Sequence, residues 1–307
     1  MAADRRLTAV SRTQGNNRAV KDGTVRPVGY RLDFAEVPVL VQAFRRMVRD
    51  DEFDVCEMAA TTYLVAKAYG KPFTALPIFL VRGFHHGAIL RSDRHGIEHP
   101  KQLEGRAVGV NRGYTVTTGV WARAVLRDEY GVDLDSITWV LSGDEHVAEY
   151  RRPANVVSVP PGRTIPDMLG SGELAAAIGV DAGPGLMPLI PDPVAAGLAS
   201  LAKTGIFPIN HLVVVKDELL AAHPDLGRAV FDAFAESKRR YLAKPAELDE
   251  PHRLVMEVTG ADPLPYGIAP NRHVLSALIG HALSQHIIER PPVIEELFAA
   301  GTWDVTG

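Results

Sequence analysis

The sequence predicts an α/β protein, a mainly parallel sheet with helices on its faces, on three observations. Short apolar runs alternate along the chain with stretches of helical periodicity. Each half opens with a strand, a polar or glycine-containing loop and a helix. The chain has 307 residues, room for two domains of about 150 residues each. Its composition, 46% hydrophobic and 23% charged, is that of a globular chain that buries a core without disulfides or metals.

The elements follow in order. Arg6 to Val10 reads as a strand, followed by a polar loop through Gly15-Asn16-Asn17. Tyr30 to Phe34 is the second strand. In Val37 to Val48 the positions Val37, Leu40, Val41, Phe44 and Met47 or Val48 share one face of a helix. Phe53 to Met58 is a strand, and Thr61 to Ala68 a helix that Gly70 stops. Phe73 to Val81 and Gly87 to Leu90 are strands. The second half repeats the alternation: strand Arg106 to Val110, helix Thr115 to Tyr130, strands Ile137 to Leu141 and Val156 to Val159, helix Thr164 to Leu169 and strand Ala175 to Val180. Ala182 to Pro193, rich in Pro and Gly, reads as a loop. His211 to Val215 is a last strand. Helices over Pro224 to Leu242, near His252 to Val258, and over Asn271 to Gln285 finish the chain.

Charge and cysteine content exclude several classes. Lys and Arg total 33 against 37 Asp and Glu, a net charge of −4, which argues against a nucleic-acid binder working through a basic surface. The single cysteine, Cys56, excludes a disulfide framework and a multi-thiolate zinc site, and its apolar surroundings predict a buried structural thiol. Polar residues follow Arg5-Arg6 where a secretory leader needs an apolar stretch, so a cytoplasmic location is expected. The most apolar long window, Ala175 to Ala202, carries Asp181, Asp192 and several prolines, so no membrane association is expected. No His-Glu-x-x-His, Gly-x-Ser-x-Gly, P-loop or dinucleotide motif occurs.

Several blocks, in order, carry a resemblance. They are Phe53 to Met58 with Thr61-Thr62-Tyr63-Leu64; Leu76-Pro77-Ile78-Phe79 with Arg82-Gly83-Phe84-His85-His86; and Pro100 to Val110. Pro161-Gly162-Arg163-Thr164 with Met168-Leu169 and Gly172-Glu173, then Pro208-Ile209-Asn210-His211, then Asp262-Pro263 with Pro265-Tyr266-Gly267 and Asn271, complete the set. Over nearly the whole chain this resembles the 4,5-dihydroxyphthalate decarboxylase family, whose fold is similar to that of type 2 periplasmic solute-binding proteins. The resemblance implies two lobes around a central cleft: residues 1–102 with 206–307, and residues 103–205. The crossings would lie near His99-Pro100 and Gly205, with ligand held outside the carboxyl ends of the strands. The family commonly has Arg before the motif histidine and Ser after it; here those positions are His85 and Gly87.

The resemblance implies non-oxidative, cofactor-independent decarboxylation of a small hydroxylated aromatic carboxylate; no metal is expected, because no pattern of metal ligands occurs in the sequence. His86 is expected to protonate the ring carbon, because imidazole gives and takes protons near neutrality. His85, Glu57 and His211 are the other catalytic candidates; Glu57 equally suits the capping of the helix that follows it. If extended, His85 and His86 point to opposite sides. Arg163 is expected to clamp a carboxylate, aided by the helix start at Thr115, Thr117 and Thr118. Thr61, Thr62, Arg82 and Asn210 complete the expected substrate contacts. The partner is a small aromatic carboxylate, and self-association is left open. Two other classes stay open: a cytoplasmic binding protein or sensor for a small anionic solute, and a lyase using a divalent metal on His and Glu ligands.

Overall fold

A computed structural model describes residues 4–94 and 96–307. Among these, the strands assemble into two mixed, mostly parallel sheets, and the chain groups into two compact units. The first unit comprises residues up to Gly83, Ile209–Ile279 and Pro291–Gly307; the second comprises Phe84–Pro208 and Gly280–Arg290.

The first unit holds β1 (Arg5–Val10), α1 (Arg18–Lys21), β2 (Tyr30–Phe34), α2 (Leu40–Asp50), β3 (Val55–Ala59), α3 (Ala60–Ala68) and β4 (Phe73–Arg82). The second holds β5 (Ile89–Ser92), β6 (Ala107–Val110), α4 (Thr117–Tyr130), β7 (Thr138–Leu141), β8 (Val156–Ser158), α5 (Ile165–Ser171), β9 (Ala176–Ile178), β10 (Leu186–Pro188) and α6 (Pro193–Thr204). β11 (Ile209–Lys216), α7 (Asp217–Ala222), α8 (Leu226–Leu242) and α9 (Glu250–Thr259) return to the first unit, and the boundary at Ile279 falls inside α10 (Arg272–Ser284).

The first sheet has the order β2-β1-β3-β11-β4. β1 runs parallel to β2 and β3, whereas β11 is antiparallel to β3 and β4. Every residue of β3 is buried, as a strand covered on both faces requires. β4 lies at the edge, where Pro77 removes a donor that no neighbour needs. Leu7, Leu76, Ile78, Val213, Phe231 and Phe234 fill the core. The second sheet has the order β10-β5-β9-β6-β7-β8. β9, β6, β7 and β8 are mutually parallel, and β5 is antiparallel to β9 and β10. Ile165, Met168 and Leu169 of α5 pack on Val140 and Leu174.

The structure departs from the sequence reading in three places. Residues 84–102, 206–208 and 280–290 group with the second unit rather than with the first, the first of these because β5 pairs with β9 and β10. The expected loop over Ala182 to Pro193 contains β10, and the chain after it forms α6. Asp192 caps α6 by accepting from the Ala195 N–H at 3.2 Å, Pro193 sits in its first turn, and Gly205 ends it at φ 70°. A short helix, α7, also precedes the long helix expected from Pro224. Among the described residues, no helix is long and apolar enough to cross a membrane.

Candidate functional site

Because β1 and β3 are parallel, their carboxyl ends share one edge of the first sheet. Ser11 and Arg12 leave β1 there, and Glu57 lies in the middle of β3, two residues before its end. β11 runs the other way, so His211, near its start, pairs with Ala59 at the end of β3. The topology thus brings Ser11, Arg12, Glu57 and His211 to the edge where ligands of such sheets bind.

Glu57 is the centre of this cluster. Its Oε1 accepts from His211 Nδ1 at 2.6 Å and Gln14 Nε2 at 3.4 Å; its Oε2 accepts from the Ser11 hydroxyl at 2.8 Å and the Arg12 N–H at 3.0 Å. Asn17 Nδ2 braces the loop by donating to Ser11 Oγ and to the Arg12 carbonyl, both at 2.8 Å. Gly15 closes it: a Cβ there would meet the Tyr241 ring at 2.2 Å. The Glu57 side chain is 0% exposed and that of His211 17%. Burial opposes ionisation of Glu57, but the His211 hydrogen bond and charge, with Ser11 and Arg12, outweigh it and hold the carboxyl below its ordinary 4.5. The ionised carboxylate fixes the proton of His211 on Nδ1 and leaves Nε2 for chemistry. Phe44 holds the ring edge-on, centroids 5.2 Å apart.

The remaining expected residues of this unit are buried or half-buried nearby in sequence. Thr61 and Thr62 are buried in the first turn of α3, and Asn210 is half-buried beside His211. Glu57 does not cap α3, whose cap is Ala59. Arg82 is buried at the end of β4, bonded to Asn271 and the Pro265 carbonyl, and burial pushes it down to about 10. Cys56 is buried, and burial pushes its thiol up.

His85 and His86 are placed in the second unit. His86 opens a single turn of 3-10 helix, so the two are not an extended pair, and both line one cavity of about 450 Å³. His86 Nε2 meets Glu129 Oε1 and Oε2 at 3.0 and 3.1 Å, and the Ser200 hydroxyl donates to Oε1 at 2.8 Å. Glu129 is the next-to-last residue of α4, which starts past the carboxyl end of β6 and returns to the start of parallel β7. His86 itself leads into β5, whose first residue, Ile89, pairs with Ile178 at the carboxyl end of β9, so its backbone lies at the carboxyl edge of the second sheet and Glu129 reaches it from the end of α4.

The expected anion site at the start of α4 is filled by the chain itself. Glu145 accepts from the Tyr114 N–H at 2.7 Å, the Thr115 N–H at 3.1 Å and the Thr115 hydroxyl at 2.7 Å. Thr117 is buried and Thr118 half-buried. Arg163 stands on an exposed turn, paired with Glu173, and does not line the cavity. Sequence reasoning missed Ser11, Arg12 and Asn17, although the polar run after the first strand marked them, and it missed Glu129, Ser200 and Glu145, whose partners lie far off in the chain. Among the described residues, no group of three or more His, Cys, Asp or Glu side chains is placed to hold a metal ion.

No family model matches the chain. Its fold is that of type 2 periplasmic binding proteins. It is similar to the periplasmic aliphatic sulphonate binding protein SsuA of Escherichia coli, with TM-score 0.56 and 11% identity over 99% of both chains. It is also similar to the desulfurization enzyme DSZB, with TM-score 0.53 and 15% identity over 96% of both. Among curated proteins, a 4,5-dihydroxyphthalate decarboxylase of Pseudomonas putida is 37% identical over 45% of this chain and 56% of its own. A 4,5-dihydroxyphthalate decarboxylase of Comamonas testosteroni is 31% identical over 84% of this chain and 85% of its own. With such a relative matched along most of both chains, this protein belongs to the 4,5-dihydroxyphthalate decarboxylase family.

Proposed function

We propose that the protein is a cofactor-independent carboxy-lyase that removes carbon dioxide from a small hydroxylated aromatic dicarboxylate such as 4,5-dihydroxyphthalate. The observation that carries this reading is the 31% identity to a 4,5-dihydroxyphthalate decarboxylase. The Glu57–His211 pair supplies the acid. A ring hydroxyl pushes electrons into the ring, and imidazolium Nε2–H of His211 protonates the carbon bearing the carboxylate. The bond to the carboxylate then breaks, its electron pair restores the aromatic ring, and carbon dioxide leaves. A proton from solvent or the ring hydroxyl restores the imidazolium, so that arene carboxylate plus a proton becomes arene plus carbon dioxide. For 4,5-dihydroxyphthalate the product is 3,4-dihydroxybenzoate. Glu57 stabilises the imidazolium and fixes its orientation. General acid catalysis of this kind contributes about 10²–10⁴-fold.

The second carboxylate needs a cation, and Arg12 is the one this site offers. Its main chain is tied to Glu57 and Asn17, while its side chain is exposed and has no hydrogen-bond or ion-pair partner among the described residues. A guanidinium fork matches a carboxylate. Incubation with 4,5-dihydroxyphthalate, following carbon dioxide and 3,4-dihydroxybenzoate with and without chelator, tests the reading. Release of both, unaffected by chelator, is expected. Tight binding without release would instead make the protein a solute-binding module, and loss of activity that a metal restores would make it a metal-dependent lyase.

A further inference from the structure

The cavity of about 450 Å³ in the second unit has no part in the reaction proposed above. It has the volume and lining of a small-molecule site, apolar walls with a few polar groups on one side. Phe84 and Trp121 form walls, and His86, Glu129, Ser200 and Lys203 make the polar side. Gly197 of α6 lets Phe84 lie flat against the helix, since a Cβ there would meet the ring at 2.5 Å.

The polar groups decide what would fit. Glu129 already accepts from His86 and Ser200, and Asp128 pairs with Arg127 at 2.6 Å. His281, also in the wall, is pushed down to about 4 by burial, partly offset by Asp128, and carries no charge at neutral pH. Among the described residues the exposed ammonium of Lys203 makes no hydrogen bond or ion pair, feeling Glu129 only as a nearby opposite charge, and buried Nδ1 of His86 has no hydrogen-bond partner. The cavity is therefore short of an acceptor, and its walls are short of an apolar body.

We infer that the cavity is a second binding site, separate from the Glu57–His211 pair, for a small aromatic monocarboxylate whose ring lies against Trp121 and Phe84 and whose carboxylate meets Lys203.

Calorimetric titration with benzoate tests this, using the intact protein, Ala199→Phe, Lys203→Ala and His211→Gln. Ala199 lines the cavity from the exposed side of α6, so a larger side chain there fills the cavity and leaves the core untouched. The wild type and His211→Gln should bind benzoate alike, Lys203→Ala about tenfold more weakly, a loss typical of one charge-assisted contact, and Ala199→Phe not at all. Ala199→Phe should also keep wild-type turnover of 4,5-dihydroxyphthalate, or, should that substrate not be turned over at all, its wild-type binding. Absence of benzoate binding to the wild type at millimolar concentration, or equal binding by wild type and Ala199→Phe, would overturn the site. Loss of turnover together with benzoate binding in Ala199→Phe would overturn its separateness and move the chemistry into the cavity.

Discussion

His211 and His86 each meet a glutamate, at 2.6 and 3.0 Å, yet the two pairs face opposite ways. In the first unit the carboxylate is the hidden partner: the Glu57 side chain is 0% exposed and His211 17%. In the second the imidazole is hidden, with His86 4% exposed and Glu129 30%. A buried carboxylate behind a reachable imidazole presents a proton carrier. A buried imidazole whose Nε2 is covered by a carboxylate presents no such carrier. The surroundings agree. Glu57 is held by four partners, Ser11, Arg12, Gln14 and His211, whereas Glu129 joins only His86 to Ser200 of α6. A histidine next to a carboxylate is thus not enough to mark an acid; which partner is buried decides.

The contrast is sharpest in Glu57→Gln against Glu129→Gln. The first removes the charge that stabilises imidazolium, so turnover should fall by about 10²-fold or more while substrate affinity changes little. The second should leave turnover within about threefold of wild type. Steady-state kinetics of both variants on one substrate settles the point.

Stability against pH separates the units next. Folded His281 stays neutral down to about 4, while the unfolded histidine takes up a proton near 6.5. The unfolded state binds more protons between these values, so stability falls as pH drops from 6.5 to about 4, by up to about 3 kcal/mol. Glu57 acts lower: its carboxyl is depressed below 4.5, so its contribution is full above that value and is lost as pH falls through the folded one. Urea unfolding across this range should show His281→Phe flattening the upper window and Glu57→Gln only the lower. The same change in both variants would contradict the assignment.

A smaller effect is expected from His86→Ala. Losing the hydrogen bond to Glu129 should cost about 1–3 kcal/mol of stability, read by denaturant midpoint, with turnover retained. The smallest belongs to Arg163→Ala. Its guanidinium is exposed and paired only with Glu173, so affinity for the aromatic dicarboxylate should stay within about twofold of wild type. Arg12→Ala, in contrast, should weaken that affinity about tenfold or more.

Much of this was legible in the sequence, for reasons that particular residues show. The strands read over Phe53–Met58, Tyr30–Phe34 and Phe73–Val81 fall on β3, β2 and β4, because short runs between turn residues have few other readings. Glu57 and His211 were named from sequence, but their 2.6 Å contact joins residues 154 apart and depends on β11 running antiparallel to β3. Local pattern does not encode that pairing. The helix Pro193–Thr204 was missed because its alanines blur the periodic stripe, although Asp192, Pro193 and Gly205 marked both its ends. The start of α4 had the backbone donors an anion needs, but nothing local tells that Glu145 occupies them.

The central claim is that the proton comes from the histidine backed by a buried carboxylate at the carboxyl edge of the first sheet. Turnover of 4,5-dihydroxyphthalate by His211→Gln and His86→Gln, each with its substrate affinity, tests it most directly. His211→Gln is expected to lose about 10²–10⁴-fold in turnover and to keep its affinity, while His86→Gln stays within about threefold of wild type. If His86→Gln loses turnover and His211→Gln keeps it, the assignment is reversed and the acid belongs to the second unit.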